Sequence, residues 1–172
     1  GHNRLKIIDL SDKSNQPFKY KNVTLAFNGM IYNYVELREK FLKNFFKFRT
    51  NSDTEVILAA YLKWGESCFK KLTGMFSIVL WDENKKRLFC VRDRLGIKPL
   101  YYTFKNDNLV FSSEITPIQN IINSKINEAV ASNYLNYSLY ENRSHTFFER
   151  IKQFEPGYIY KFDVKNNFVK NS

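Results

Sequence analysis

The sequence predicts an α+β domain made of two stacked, mainly antiparallel sheets flanked by helices. Three observations point there. Apolar runs come in pairs around short polar stretches, which is the hairpin pattern. The helical patterns do not alternate one for one with the strands, so parallel crossovers are not indicated. Two runs, 74–80 and 100–104, contain few polar residues and suit strands that are covered on both faces.

The elements follow in order. Residues 1–10 are a mixed apolar run with no Met start. Residues 23–27 form a short apolar run that stops at Asn28-Gly29, a strong two-residue turn signal. Tyr34, Leu37, Phe41 and Leu42 then recur at helical spacing, with Asn33 placed to cap. A second helix starts at Ser52-Asp53, where both residues are good cap types. Glu55 sits in its first turn, where a carboxylate suits the dipole, and Gly65 is a natural stop. Residues 74–81 and 87–92 flank a polar five-residue stretch, and 99–104 and 109–112 flank another, so both pairs read as hairpins. Residues 114–122 and 127–139 look helical. Residues 157–162 are a last short strand, and the polar tail 164–172 reads as the start of a linker.

Composition bounds the function. A length of 172 residues suits one domain with a sizeable core. The net charge of +10 is spread out, with no basic run longer than two or three residues, so it reads as a solvated surface rather than a nucleic-acid site. The two cysteines, Cys68 and Cys90, lack metal or disulfide spacing and read as small core hydrophobes, which with no secretory signal places the chain in the cytoplasm. No apolar stretch reaches the length of a membrane span. His2 and His145 have no company suited to a metal site or a triad.

Several segments, in order, resemble one family. They are Gly1-His2-Asn3-Arg4-Leu5, Phe27-Asn28-Gly29-Met30-Ile31-Tyr32-Asn33-Tyr34 with Glu36-Leu37-Arg38, and Ser52-Asp53-Thr54-Glu55-Val56-Ile57-Leu58. Gly74-Met75-Phe76 with Trp81-Asp82, the run from Arg92 to Tyr102, and Phe111-Ser112-Ser113-Glu114 complete the set, with Pro156-Gly157 as a late landmark. Together they resemble the class II glutamine amidotransferase domain of glutamine-hydrolysing asparagine synthetases. Related glutaminase domains share the Asn-Gly pair but not the Ile31-to-Tyr34 or Gly96-to-Tyr102 segments.

The resemblance implies a fold of the N-terminal-nucleophile hydrolase type. Residues 1–163 would be the amidotransferase domain, short of its first strands, and 164–172 the start of a linker to an ATP-dependent synthetase domain. In such domains a leading Cys attacks the glutamine amide and its α-amine serves as base. No Cys stands at residue 1, so the fragment alone is expected to be inactive, and poorly ordered or poorly soluble around residues 1–10. Asn28 and Gly29 match the oxyanion hole. Arg4 matches the partner of the glutamine α-carboxylate, and Leu5, Lys6, Ile7 and Ile8 the rest of that binding strand. Asp53 matches the acid that takes the α-ammonium. Met30 stands where the family has Glu, so a charge that holds the amino end of glutamine is missing. Arg92, Asp93 and the turn that follows read as structural.

The implied function is release of ammonia from glutamine for amidation of aspartate. Alternatives are a degenerate glutaminase-like domain and an amidotransferase for another carboxylate, such as a sugar acid. L-glutamine and the parent's own synthetase domain are the implied partners, and a homodimer is left open. This domain needs no cofactor; ATP and Mg belong to the synthetase domain.

Overall fold

The computed structural model of the chain describes residues 8, 9, 11–139, 144–163 and 169–171. A 3-10 turn, Asp12–Ser14, leads into β1 (Phe18–Tyr20) and β2 (Val23–Ile31). Next come a single α turn, α1 (Tyr34–Glu36), a π-helical segment (Leu37–Leu42) and α2 (Asp53–Trp64). A 3-10 stretch (Gly65–Lys71) precedes β3 (Gly74–Asp82), β4 (Arg87–Arg92), β5 (Tyr101–Lys105) and β6 (Asn108–Ser112). The helices α3 (Ile115–Ile122) and α4 (Glu128–Tyr137) and the strands β7 (Lys152–Gln153), β8 (Ile159–Asp163) and β9 (Val169–Asn171) complete the order.

The strands form a six-stranded sheet, β1-β2-β3-β4-β8-β9, and a three-stranded sheet, β6-β5-β7; every pairing is antiparallel. Side chains alternate across each strand, so each sheet feeds two cores. Leu25 and Phe27 of β2, Ile78 and Leu80 of β3, and Phe89 and Val91 of β4 point to one face, where α2 packs. Val79, Cys90 and Tyr160 point to the other face, where Leu100, Tyr102 and Phe154 meet them between the sheets. On the far side of the small sheet, Tyr101 and Val110 pack with Ile118 and Ile122 of α3. The layers therefore run helix, sheet, sheet, helix. Residues 76–80 are all buried, as a strand covered on both faces requires.

The helix α2 is buried on all sides from Asp53 to Tyr61, because the Leu37–Leu42 and Gly65–Lys71 segments cover what the sheet does not. Its cap is Ser52, whose hydroxyl accepts from the Glu55 N–H at 3.3 Å. Glu55 turns back and accepts from the Arg49 N–H, the Thr50 N–H and the Thr50 hydroxyl at 2.7–3.1 Å, so this fully buried carboxylate is saturated.

Several local expectations change. Asn28-Gly29 is not a turn. The β2 strand runs straight through it, in register with Ser77 and Phe76 of β3. The glycine serves a close approach of two backbones: a Cβ on Gly29 would lie 2.0 Å from the Met75 carbonyl oxygen, and its φ of +144° suits glycine. The helix expected from Tyr34 is π-wound beyond Leu37, with the Lys43 N–H bonded to the Arg38 carbonyl at 2.8 Å. The wider turn carries the buried Leu37 and Leu42 on one face and leaves Phe41 47% exposed, against the α-helical expectation. Asn33 does not cap. Its side chain instead bonds the Lys71 carbonyl and the Thr73 N–H, tying this turn to β3. The tail expected to begin a linker contributes Val169–Asn171 as an edge strand on β8. The expectation for residues 1–10 falls outside the described residues, apart from Ile8 and Asp9.

Candidate active site

Among the described residues the small sheet has three strands against six, which leaves part of the inner face of the large one without a strand over it. Where it ends, at β6, a cavity of about 470 Å³ opens between the layers. Its floor is the inner face of β2 and β3: Ala26, Asn28 and Met30, opposite Val79, Ser77 and Met75. Its rim comes from β6 and the start of α3, with Phe111, Ser112 and Glu114. Asp53 and Thr54 at the start of α2, together with Ile8, Gln16 and Lys98, close it.

The outer edge of β2 explains how Asn28 and Gly29 can work together. The short β1 pairs only with Val23, Thr24 and Leu25. Beyond it, successive N–H groups alternate between β3 and the open edge. The outward N–H of Phe27 donates to Gln16 Oε1, and that of Ile31 donates to Asp53 Oδ2 at 3.1 Å. Gly29 lies between them with the same parity, so its N–H faces away from β3, toward the edge that no described strand pairs beyond Leu25. The Asn28 side chain sits beside it on the cavity floor and makes no hydrogen bond among the described residues. The Gly29 N–H and the Asn28 side chain thus lie next to each other where β2 runs on beyond β1.

Asp53 is buried, and its carboxylate accepts from the Ile31 N–H and, at 3.0 Å, from its own neighbour Thr54. Capping duty falls to Ser52, so Asp53 is left to line the cavity. Asp9 accepts from the Asn51 N–H at 2.8 Å, which pins the segment carrying Ile8 to the approach of α2. Asn28, Gly29, Met30, Asp53 and Ile8 therefore meet at one cavity. Arg4, Leu5, Lys6 and Ile7 lie outside the described residues.

Met30 faces Met75 across the ladder, and both line the cavity, so the floor is apolar beside Asn28. Sequence reasoning missed Gln16, Thr54, Ser77 and Met75 as lining residues. The alternation of β3 could have found Ser77 and Met75 once the register with β2 was known. Gln16 and Thr54 carried no signal.

Behind the floor is a buried polar hub. The Asp93 carboxylate, 1% exposed, accepts from the backbone N–H groups of Phe76, Leu95, Ile97 and Lys98 at 3.0–3.2 Å. The Arg92 guanidinium donates to the carbonyls of Lys98, Gly96 and Phe154 at 2.7–2.8 Å. The structural reading of this pair is thus given a mechanism: it clamps the loop from Asp93 to Leu100 against the strand opposite Gly29. Asp93→Ala should cost about 3 kcal/mol or more, since four N–H groups lose one buried acceptor. A denaturant midpoint within error of wild type would contradict it.

Neither cysteine is a candidate nucleophile. Both are fully buried, and burial pushes both thiols up, away from the thiolate that attack requires. Among the described residues no cluster of three or more His, Cys, Asp or Glu could hold a metal, and no helix is long and apolar enough to cross a membrane.

The chain is thus an α+β fold of layered antiparallel sheets flanked by helices, with a cavity at the strand edge that carries Asn28 and Gly29. Residues 1–171 match the family model described as glutamine amidotransferase domain, and the chain belongs to that family. It is 41% identical over 162 residues to a glutamine-hydrolysing asparagine synthetase of Bacillus subtilis, spanning 91% of this chain and 25% of that protein. A putative asparagine synthetase of Methanocaldococcus jannaschii is 38% identical over 169 residues, spanning 83% of this chain and 32% of the relative. The chain therefore spans about a quarter to a third of the length of these relatives. Among solved structures, the glutamine phosphoribosylpyrophosphate amidotransferase of Bacillus subtilis superposes with a TM-score of 0.64 at 20% identity, over 91% of this chain and 31% of its own, which shows the shared fold.

Proposed function

We propose that the parent of this chain hydrolyses glutamine in the cavity between the sheets and uses the ammonia for ATP-dependent amidation of aspartate. The observation that carries the reading is the convergence of Asn28, the Gly29 N–H and Asp53 at one open strand edge. A cysteine thiolate adds to the amide carbon, and the oxyanion is held by the Asn28 amide and the Gly29 N–H. The α-amine of that cysteine passes the thiol proton to the leaving nitrogen, ammonia departs, and a thioester remains. Water then cleaves the thioester to glutamate and regenerates the thiol. Asp53, and Arg4 by resemblance, hold the α-ammonium and α-carboxylate.

In this reading the nucleophile is the leading cysteine of the parent chain and neither Cys68 nor Cys90, which are sealed in the two cores. The 172-residue chain alone then releases no glutamate. In this proposal ATP and magnesium belong to the synthetase domain, and the protein works in the reducing cytoplasm, where both thiols stay free. The test is to assay the full-length parent for glutamate and ammonia in equal amounts, with and without replacement of its leading cysteine by alanine. Release that survives the replacement, or no release at all, overturns the proposal.

Met30 tunes the same site. A methionine offers no charge to the α-ammonium, and one charge-assisted contact is worth about 1.5–3 kcal/mol. Met30→Glu in the full-length parent should therefore lower the glutamine KM by about tenfold or more. An unchanged KM would show that Asp53 suffices for the amino end.

A further inference from the structure

We propose that Lys98 is a further substrate-binding residue of this cavity, supplying a positive charge to the carboxylate of the bound amide. The inference rests on the glutaminase reading above and adds a residue to it.

The backbone of Lys98 is held from both sides. Its N–H donates to Asp93 Oδ2 at 3.0 Å, and its carbonyl accepts from Arg92 Nε at 2.8 Å. The same Asp93 oxygen accepts from the Phe76 N–H at 3.2 Å, and Phe76 is the ladder partner of Gly29. One carboxylate oxygen thus ties Lys98 to the strand residue behind the oxyanion edge. The hub accounts for the rigidity of the loop, but it uses only the backbone of Lys98. Its side chain is left unexplained by structure: Lys98 is half-buried, lines the cavity, and makes no side-chain hydrogen bond or ion pair among the described residues.

The charge of the cavity gives that side chain a role. Among the described lining residues the charged groups are Lys98, Asp53 and Glu114. The Asp53 carboxylate already accepts two backbone N–H groups, and Glu114 is exposed at the rim. Met30 and Met75 add no charge. An anionic group entering this space meets Lys98 as the cation supplied by the described residues. A charge on a half-buried residue at a cavity wall is screened less than one on the open surface, so its attraction for a carboxylate is correspondingly greater. The assignment is compatible with Arg4 acting on the same group, because a carboxylate has about four lone-pair sites and one guanidinium fork leaves some of them free. A clamped backbone also limits how far the ammonium can wander, which reduces the ordering cost of binding.

The experiment compares the full-length parent with its Lys98→Met and Lys98→Arg variants in steady-state glutaminase assays, with a thermal melt of each. Lys98→Met should raise the glutamine KM by about tenfold or more while kcat changes far less, since a contact kept from ground state to transition state acts on binding. Lys98→Arg should recover most of the loss, and the melts should coincide. An unchanged KM in Lys98→Met, or a fall in kcat alone that Lys98→Arg does not reverse, overturns the inference. If wild type hydrolyses glutamine and Lys98→Met is unaffected, only this inference falls. If wild type does not hydrolyse glutamine, the glutaminase reading falls first and takes this one with it.

Discussion

Asn28→Ala in the full-length parent should lower kcat for glutamine hydrolysis by about 10²–10³-fold, with KM changed much less. The side-chain amide sits on the cavity floor beside the outward N–H of Gly29 and has no partner among the described residues. A donor without a structural partner costs no internal bond when it turns to an oxyanion. Its interaction strengthens as the carbonyl oxygen becomes charged, so its loss falls on the transition state. The same lack of a partner predicts little effect on folding, within about 0.5 kcal/mol. Kinetics and a melt on one preparation separate the two. A fall in kcat accompanied by an equal loss of stability would point to a structural residue, and an unchanged kcat would remove Asn28 from the mechanism.

Gly29→Ala should act in the opposite way, through the fold. A methyl group there would sit 2.0 Å from the Met75 carbonyl oxygen and 2.7 Å from the Phe76 Cα, both parts of the adjoining strand. Neither is the flexible end of a side chain, so the strands must part or the backbone must leave its φ of +144°. Overpacking and backbone strain each cost about 1–3 kcal/mol, so a loss of about 3 kcal/mol or more is expected. For a domain of this size that lowers Tm by about 6–12 °C. The damage spreads along β2 and β3, the longest pairing among the described strands of the large sheet, and moves the Gly29 N–H from its place at the strand edge. A Tm equal to wild type would mean that the ladder yields more easily than its geometry indicates.

Much of the fold was legible because its signals are local. The apolar runs of β3 and β4, the polar stretch between them, and the Ser52 cap of α2 all depend on residues within a few positions of each other. Asn28-Gly29 misled for the same reason. Read locally it is a turn, because glycine's freedom at positive φ is most often spent there. Only β3, some fifty positions further on, shows that the freedom serves a backbone contact across a continuous strand. The π-winding at Leu37–Leu42 is a second case, set by which leucines the core beneath α2 accepts.

The site divides along the same line. The sequence by itself determined the residue types: an amide donor beside a glycine, an acid after a helix cap, and a methionine next to the glycine. Only the tertiary structure decided that they share one cavity. Among the described residues a short β1 leaves the end of β2 unpaired, a three-stranded sheet lies against a six-stranded one, and the space between them is where Asn28, Gly29, Met30 and Asp53 meet. That space depends on how many strands each sheet holds and where their edges fall, and pairings between distant segments set both.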